Sequence, residues 1–210
     1  MRKKESCTSK TKNNNTQKRT DSEVYYIGID PSTTSLGVCV INKDGEIEYV
    51  THSKRLGKLK DWETKNNHAI DLFKEVLDEY TPSHVFMEHA VFSSHSSTSV
   101  LYELCGVLKY VYFNHPEFNK IRSFYTIMPR VWQHKLISTV KPTKEDTLVE
   151  MERYFDIDFK SDDESDAAGI ALFCYKYHTE RGFKESLTKT KDKKTKKMKS
   201  LENVVIKLSY

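Results

Sequence analysis

The chain has 210 residues, 37% of them hydrophobic, which suits one domain with tails built on one core. No apolar run reaches the roughly 20 residues of a membrane helix, and no N-terminal apolar stretch resembles a signal peptide, so no membrane role is expected. Four cysteines (Cys7, Cys39, Cys105, Cys174) form no CxxC pair, which argues against structural zinc or a disulfide framework and fits a reducing intracellular compartment. Cytoplasm, viral factory and organelle all satisfy that condition.

The net charge of +4 is unevenly spread. Residues 1–20 hold seven Lys/Arg against one acid, and residues 181–200 hold nine against two, so these two ends carry +13 and the rest carries −9. Basic ends suit a polyanion, and an acidic body suits carboxylates gathered around cations. Solvated low-complexity tails give the same composition.

In chain order, residues 1–22 lack aliphatic content beyond Met1 and are expected to be disordered. Residues 24–29 read as a buried strand and 35–41 as a second, Val/Ile-rich one. Lys43-Asp44-Gly45 marks a tight turn into an alternating third strand ending at His52. Residues 62–80 show helical periodicity through Ile70, Phe73, Val76, Leu77 and Tyr80, and Pro82 ends it. Val85–Glu88 is a short apolar strand closed by one acid. A Ser/Thr loop, residues 93–99, leads into a helix running to about Phe113. Residues 122–127 form another strand; 129–137, 144–154 and 162–177 are helices. Residues 181–210 read as a Lys-rich tail with an apolar end, LENVVIKLSY, able to dock as a strand or meet a partner. The order predicts an α/β protein, a mixed five-stranded sheet of three antiparallel strands and two more, flanked by helices over residues 23–180.

Three acidic positions stand out. Strand alternation puts Tyr26, Gly28 and Asp30 on one face, and Gly28 leaves room beside Asp30 for a metal or substrate. Glu88 closes an apolar strand, where an unpaired buried charge costs several kcal/mol, so it belongs in a cleft. Asp163 and Asp166 are three apart on one face of a helix start. Taken alone, that last pair is equally an N-terminal device: Ser161 and Glu164 fit a capping box, and acids there favour the helix dipole. Together the four carboxylates can meet at one sheet edge, where only cations would relieve their repulsion. All-oxygen donors select Mg²⁺ or Mn²⁺, and two such ions about 4 Å apart activate water against a phosphodiester.

The motifs GIDPSTTSLGV (Gly28–Val38), FMEHAVF (Phe86–Phe92), SVLYELCGVLKYV (Ser99–Val111) and DESDAAGIALF (Asp163–Phe173) resemble those of RuvC-type Holliday junction resolvases in the ribonuclease H-like superfamily. The resemblance covers Tyr25 to Tyr177. It implies a two-Mg²⁺ endonuclease cutting four-way DNA junctions, with Asp30, Glu88, Asp163 and Asp166 as metal ligands and Lys144 at the phosphate. Asp162, four before Asp166, competes with Asp163, and the family's spacing favours Asp163. The resemblance also implies DNA contacts in the loop after Glu88, with candidates Phe92, Ser94 and Ser96. Symmetric cutting implies a homodimer; helix 97–113 is the expected interface, its apolar surface of Val100, Leu101, Leu104, Leu108 and Val111 facing either a partner or the core. Phe92 stands one position later than in the bacterial pattern.

Three other readings remain at this point. GIDPSTTS also resembles a phosphate motif of sugar kinases and related ATPases, which are typically twice this length. A nuclease of the same fold acting on other branched or RNA-containing substrates is the second, and a non-catalytic branched-DNA-binding module the third. If the basic N-terminus grips DNA backbone, deleting residues 1–22 weakens binding and flattens its salt dependence without removing cleavage. Binding isotherms over a salt series check this; unchanged slopes remove that role.

Overall fold

In the computed structural model, residues 23–53, 61–81, 83–90, 97–116, 123–188 and 205–207 are described. Strands β1 (Tyr25–Pro31), β2 (Leu36–Ile41) and β3 (Ile47–His52) form an antiparallel meander. The β2–β3 turn is closed by Asn42 N–H donating to the Glu46 carbonyl at 2.9 Å, with Gly45 at φ 88°, a conformation glycine adopts without strain. Helix α1 (Trp62–Glu79) begins at Asp61, whose carboxylate caps the Thr64 amide, and buries Ala69, Phe73, Val76 and Leu77.

The chain then crosses over. β4 (Ser83–Glu88) pairs parallel to β1, helix α2 (Ser97–Phe113) follows, and β5 (Ser123–Ile127) pairs parallel to β4. Four helices complete the sequence: α3 (Pro129–Leu136), α4 (Lys144–Phe155), α5 (Asp162–Thr179) and α6 (Phe183–Thr188). The five expected strands are joined by a sixth, β6 (Val205–Lys207), antiparallel to β5, so these three residues of the apolar stretch pair as a strand. The sheet order is β3-β2-β1-β4-β5-β6.

Alternation along the strands divides the interior into two layers. Ile27, Ile29, Val85 and Met87 face α1 and α2, while Tyr26, Phe86, Cys39 and Ile41 face α3, α5 and α6. The Lys-rich stretch from residue 181 starts with folded structure: Phe183 and Leu187, one helical turn apart, are buried in the second layer. No described helix is long and apolar enough to cross a membrane.

The expected dimer stripe is corrected. Leu104, Leu108 and Val111 are buried in the first layer, and Leu101 packs against its edge. That apolar face fastens α2 to its own sheet, because burying it there removes its area from water within one chain.

Candidate active site

β1 and β4 are adjacent and parallel, with Ile29 opposite Met87. Asp30 and Glu88, each one residue further, therefore stand side by side at the carboxyl ends of strands about 4.8 Å apart. Connections leave β1 toward β2 on one side and β4 arrives on the other, so the site lies at a switch point of the sheet, where open α/β sheets form their crevices.

Helix α5 brings the other acids, and two glycines let it approach. A β-carbon at Gly28 would lie 2.2 Å from the Ala171 amide nitrogen and 2.3 Å from the Ala167 carbonyl oxygen. At Gly37, the residue paired with Asp30, it would lie 2.2 Å from the Asp163 carbonyl oxygen. The space expected beside Asp30 at Gly28 is thus taken by the backbone of α5, not by a metal or substrate. This close contact sets the first turn of α5, with Asp163 and Asp166, over the end of β1.

Ser161 caps α5 by accepting from the Glu164 amide at 3.3 Å. The expected reciprocal half of the capping box does not form. Glu164 instead accepts from the Lys160 amide at 2.8 Å and bonds His52 Nδ1 at 2.7 Å, both side chains largely buried. That bond ties the helix start to β3.

The electrostatics mark these carboxylates as a set. Asp30 is held well above the usual carboxylate range by burial, then by Glu88, Asp166 and Asp163, with Lys144 opposing. Burial pushes Glu88 up to about 7; a hydrogen bond from Trp132 and the charge of Lys144 pull it back, while Asp166 adds to the rise. Asp166 is pushed up to about 7 by burial, with Asp162 and Asp163 raising it and Lys144 lowering it. Asp166 Oδ1 is buried without a hydrogen-bond partner, a state polar atoms rarely keep. Lys144 opens α4 and lies 3.8 Å from Asp162, both exposed. Asp163, unlike Asp162, acts on Asp30. Phe92, Ser94 and Ser96 lie outside the described residues.

Among the described residues, no three His, Cys, Asp or Glu side chains stand close enough to form a ready cation cage. The donor chemistry nonetheless fits a hard divalent ion: all oxygen, mutually repelling, with one buried oxygen unsatisfied.

Trp132 is the participant that sequence reasoning missed. Its Nε1–H donates to Glu88 Oε2 at 2.8 Å, and its ring is fully buried under Gly169, where a β-carbon would come within 2.5 Å of it. A glycine inside an apolar helix was the available signal, since glycine weakens helices unless something packs close. Replacing Trp132 with phenylalanine removes the donor, so Glu88 should titrate higher still. The expected result is a pH–rate profile whose acid limb moves upward and a loss of roughly 10–100-fold in divalent-ion affinity or rate. An unmoved profile would leave Trp132 with packing alone.

No protein-family model and no curated protein sequence matches the chain. Solved structures do. Thermus thermophilus RuvC bound to a Holliday junction substrate superposes with TM-score 0.60 at 18% identity, covering 74% of this chain and 94% of that one. Another Thermus thermophilus RuvC structure gives 0.59 at 19%, covering 74% and 95%. The yeast mitochondrial Holliday junction resolvase Ydc2 gives 0.53 at 16%, covering 73% and 79%. The fold is ribonuclease H-like, similar to that of these solved structures at low sequence identity.

Proposed function

We propose that this protein is a divalent-metal-dependent endonuclease that cuts four-way DNA junctions, leaving 5′-phosphate and 3′-hydroxyl ends. The observation that carries the reading is the meeting of Asp30 and Glu88 at adjacent strand ends under the acidic first turn of α5. A kinase-type phosphate loop has no use for that set. Asp30, Glu88, Asp163 and Asp166 would hold Mg²⁺, or Mn²⁺ in its place. Two such ions would supply an activated water and charge neutralisation at the departing 3′ oxygen.

The chain's own groups set the rest. Trp132 fixes the Glu88 carboxylate, and the His52–Glu164 bond holds the turn that carries Asp163 and Asp166. Lys144, exposed and 3.8 Å from Asp162, would offset charge on the scissile phosphate. Its pairing with Asp162 leaves Asp163 as the better ligand candidate. The basic ends add affinity for DNA backbone without sequence preference. Paired cuts across a junction require two such sites, hence a homodimer.

The test is cleavage of an end-labelled four-way junction with Mg²⁺, beside linear duplex and RNA–DNA hybrid. Paired symmetric nicks confined to the junction support the reading. Cutting of the hybrid instead moves the substrate to RNA while keeping the site. Binding without cutting in either metal makes the protein a branched-DNA-binding module.

A further inference from the structure

The end of β4 opposite Glu88 holds a pair of histidines that the proposed chemistry does not use. His84 is the second residue of β4, and His178 lies in the last turn of α5. Their rings stack with centroids 3.7 Å apart. Ser123, paired with His84 in the β4–β5 ladder, bridges them. Its hydroxyl lies 2.7 Å from His84 Nδ1 and 3.4 Å from His178 Nε2.

This geometry suits two neutral imidazoles. A hydroxyl holds one proton, so it donates to one ring nitrogen and accepts from the other. With both rings charged, both nitrogens are donors and the hydroxyl proton loses its acceptor there. Two imidazolium charges stacked this closely also repel strongly wherever water is scarce. Water is scarce here, because Tyr26, Phe86, Ser123 and Tyr177 are all buried. The rings of Tyr26, Phe86, Tyr125 and Tyr177 lie within 6.3 Å of His178.

The neighbouring elements bring no counter-charge to His178. β1 presents Tyr26 and β5 presents Tyr125, which stands opposite Lys207 of β6 in the ladder. α5 adds Cys174, whose thiol donates to the His84 carbonyl, and α6 adds Lys184, 4.5 Å from the Tyr177 ring centroid. Of the nearby acids, Glu180 is paired with Lys176 and Glu185 is exposed on α6. Burial pushes His178 down to about 3, and the like charges of His84 and Lys184 add to the fall.

We infer that the His84–His178 stack is a proton-operated latch, which holds the last turn of α5 and the following α6 on the sheet at neutral pH and releases both in acid. α6 follows directly after the turn at Gly182 and packs Phe183 on Phe173 and Lys184 on Tyr177, so it depends on the same turn. Released, His178 titrates at about 6.5; latched, it titrates at about 3. Between these values the released state binds more protons, so each unit fall in pH favours release about tenfold. The carboxylates at the other end of α5 respond with the opposite sign, so loosening there would not imitate the latch.

The latch does not rest on the nuclease reading. Its test is hydrogen–deuterium exchange of the full chain from pH 8 to pH 5, corrected for the intrinsic exchange rate at each pH. Peptides covering residues 177–188 are expected to open about tenfold more readily at pH 5 than at pH 6, with no change between pH 7.5 and pH 8. Peptides from α1, on the other face of the sheet, are expected to lack that rise. His178→Phe keeps a ring in the stack and removes the titrating group, so its rise is expected to vanish. Thermal melts check that this variant folds; if it does not, the wild-type profile decides alone. Wild-type opening that is flat between pH 6 and pH 5 overturns the latch, as does a rise shared equally by α1. A rise that survives in folded His178→Phe overturns it as well.

Discussion

Replacing Asp30 with asparagine is expected to stabilise the metal-free protein while removing cleavage. In the wild type, Glu88 and Asp166 are pushed up to about 7, and Asp30 is raised in the same direction. The unfolded chain gives up those protons near pH 4. Between the two, the folded state binds more protons than the unfolded one, so stability falls as pH rises. The contribution is complete below about pH 4 and lost as pH passes about 7. Asparagine at position 30 removes one member of the repelling set. At pH 8 the metal-free melting temperature should rise by roughly 2–4 °C, the shift produced by about 1 kcal/mol in a chain of this size. Mg²⁺ should raise the wild-type melting temperature at that pH by binding only the folded state, and should do so far less in the variant. Cleavage should fall by at least about 10²–10³-fold, as when a principal charge-stabilising group is lost. A wild-type melting temperature that is flat across this pH range and indifferent to Mg²⁺ would sink the metal reading.

Gly28→Ala should be among the most damaging single-atom additions in the molecule. Its methyl would lie 2.2 Å from one backbone atom of α5 and 2.3 Å from another. Backbone cannot rotate aside as a side chain can, so the helix must lift from the sheet. Overpacking typically costs 1–3 kcal/mol, and this contact belongs at or above the upper end, about 3 kcal/mol. The same displacement carries Asp163 and Asp166 away from Asp30. Chemical denaturation and Mg²⁺ titration of the variant are therefore expected to show loss of stability together with loss of ion affinity. By comparison, Gly106→Ala meets open space and should leave monomer stability unchanged or improved. Equal costs at the two positions would refute the packing argument.

Most elements were readable because their periods were clean. The strands of the meander and the helices at 62–79 and 144–155 fall within two residues of their expected bounds. What escaped depended on partners distant in sequence. Trp132 reads as a core residue of a short helix, and its bond to Glu88 spans 44 positions. Glu164 fits a local cap so well that its bond to His52 has no signature in the chain. Gly28 was legible as a place where something approaches closely, but a metal and a helix backbone leave the same mark. The apolar stripe of α2 likewise identified a buried face without saying whose. Residues 183–188 were hidden by charge: two apolar anchors in a lysine-rich setting do not announce a helix. The acids were legible as types and spacings, while their convergence required the parallel pairing of β1 with β4.

The pairing of β6 with β5 alters what the lysine-rich stretch is. Seven of its lysines fall between Lys189 and Lys199, after the end of α6 and before Val205, where the backbone joins the sheet again. The described fold thus holds the chain on both sides of these lysines. A single peptide cut between Thr188 and Val205 would leave β6 joined to the rest of the domain only through its three-residue ladder with β5. Covalent attachment supplies an effective concentration on the order of millimolar, and the severed strand would have to do without it. Its departure would bare the backbone groups of β5, a template for adding strands from other molecules. An unbroken backbone from α6 to β6 thus keeps the outer edge of β5 paired.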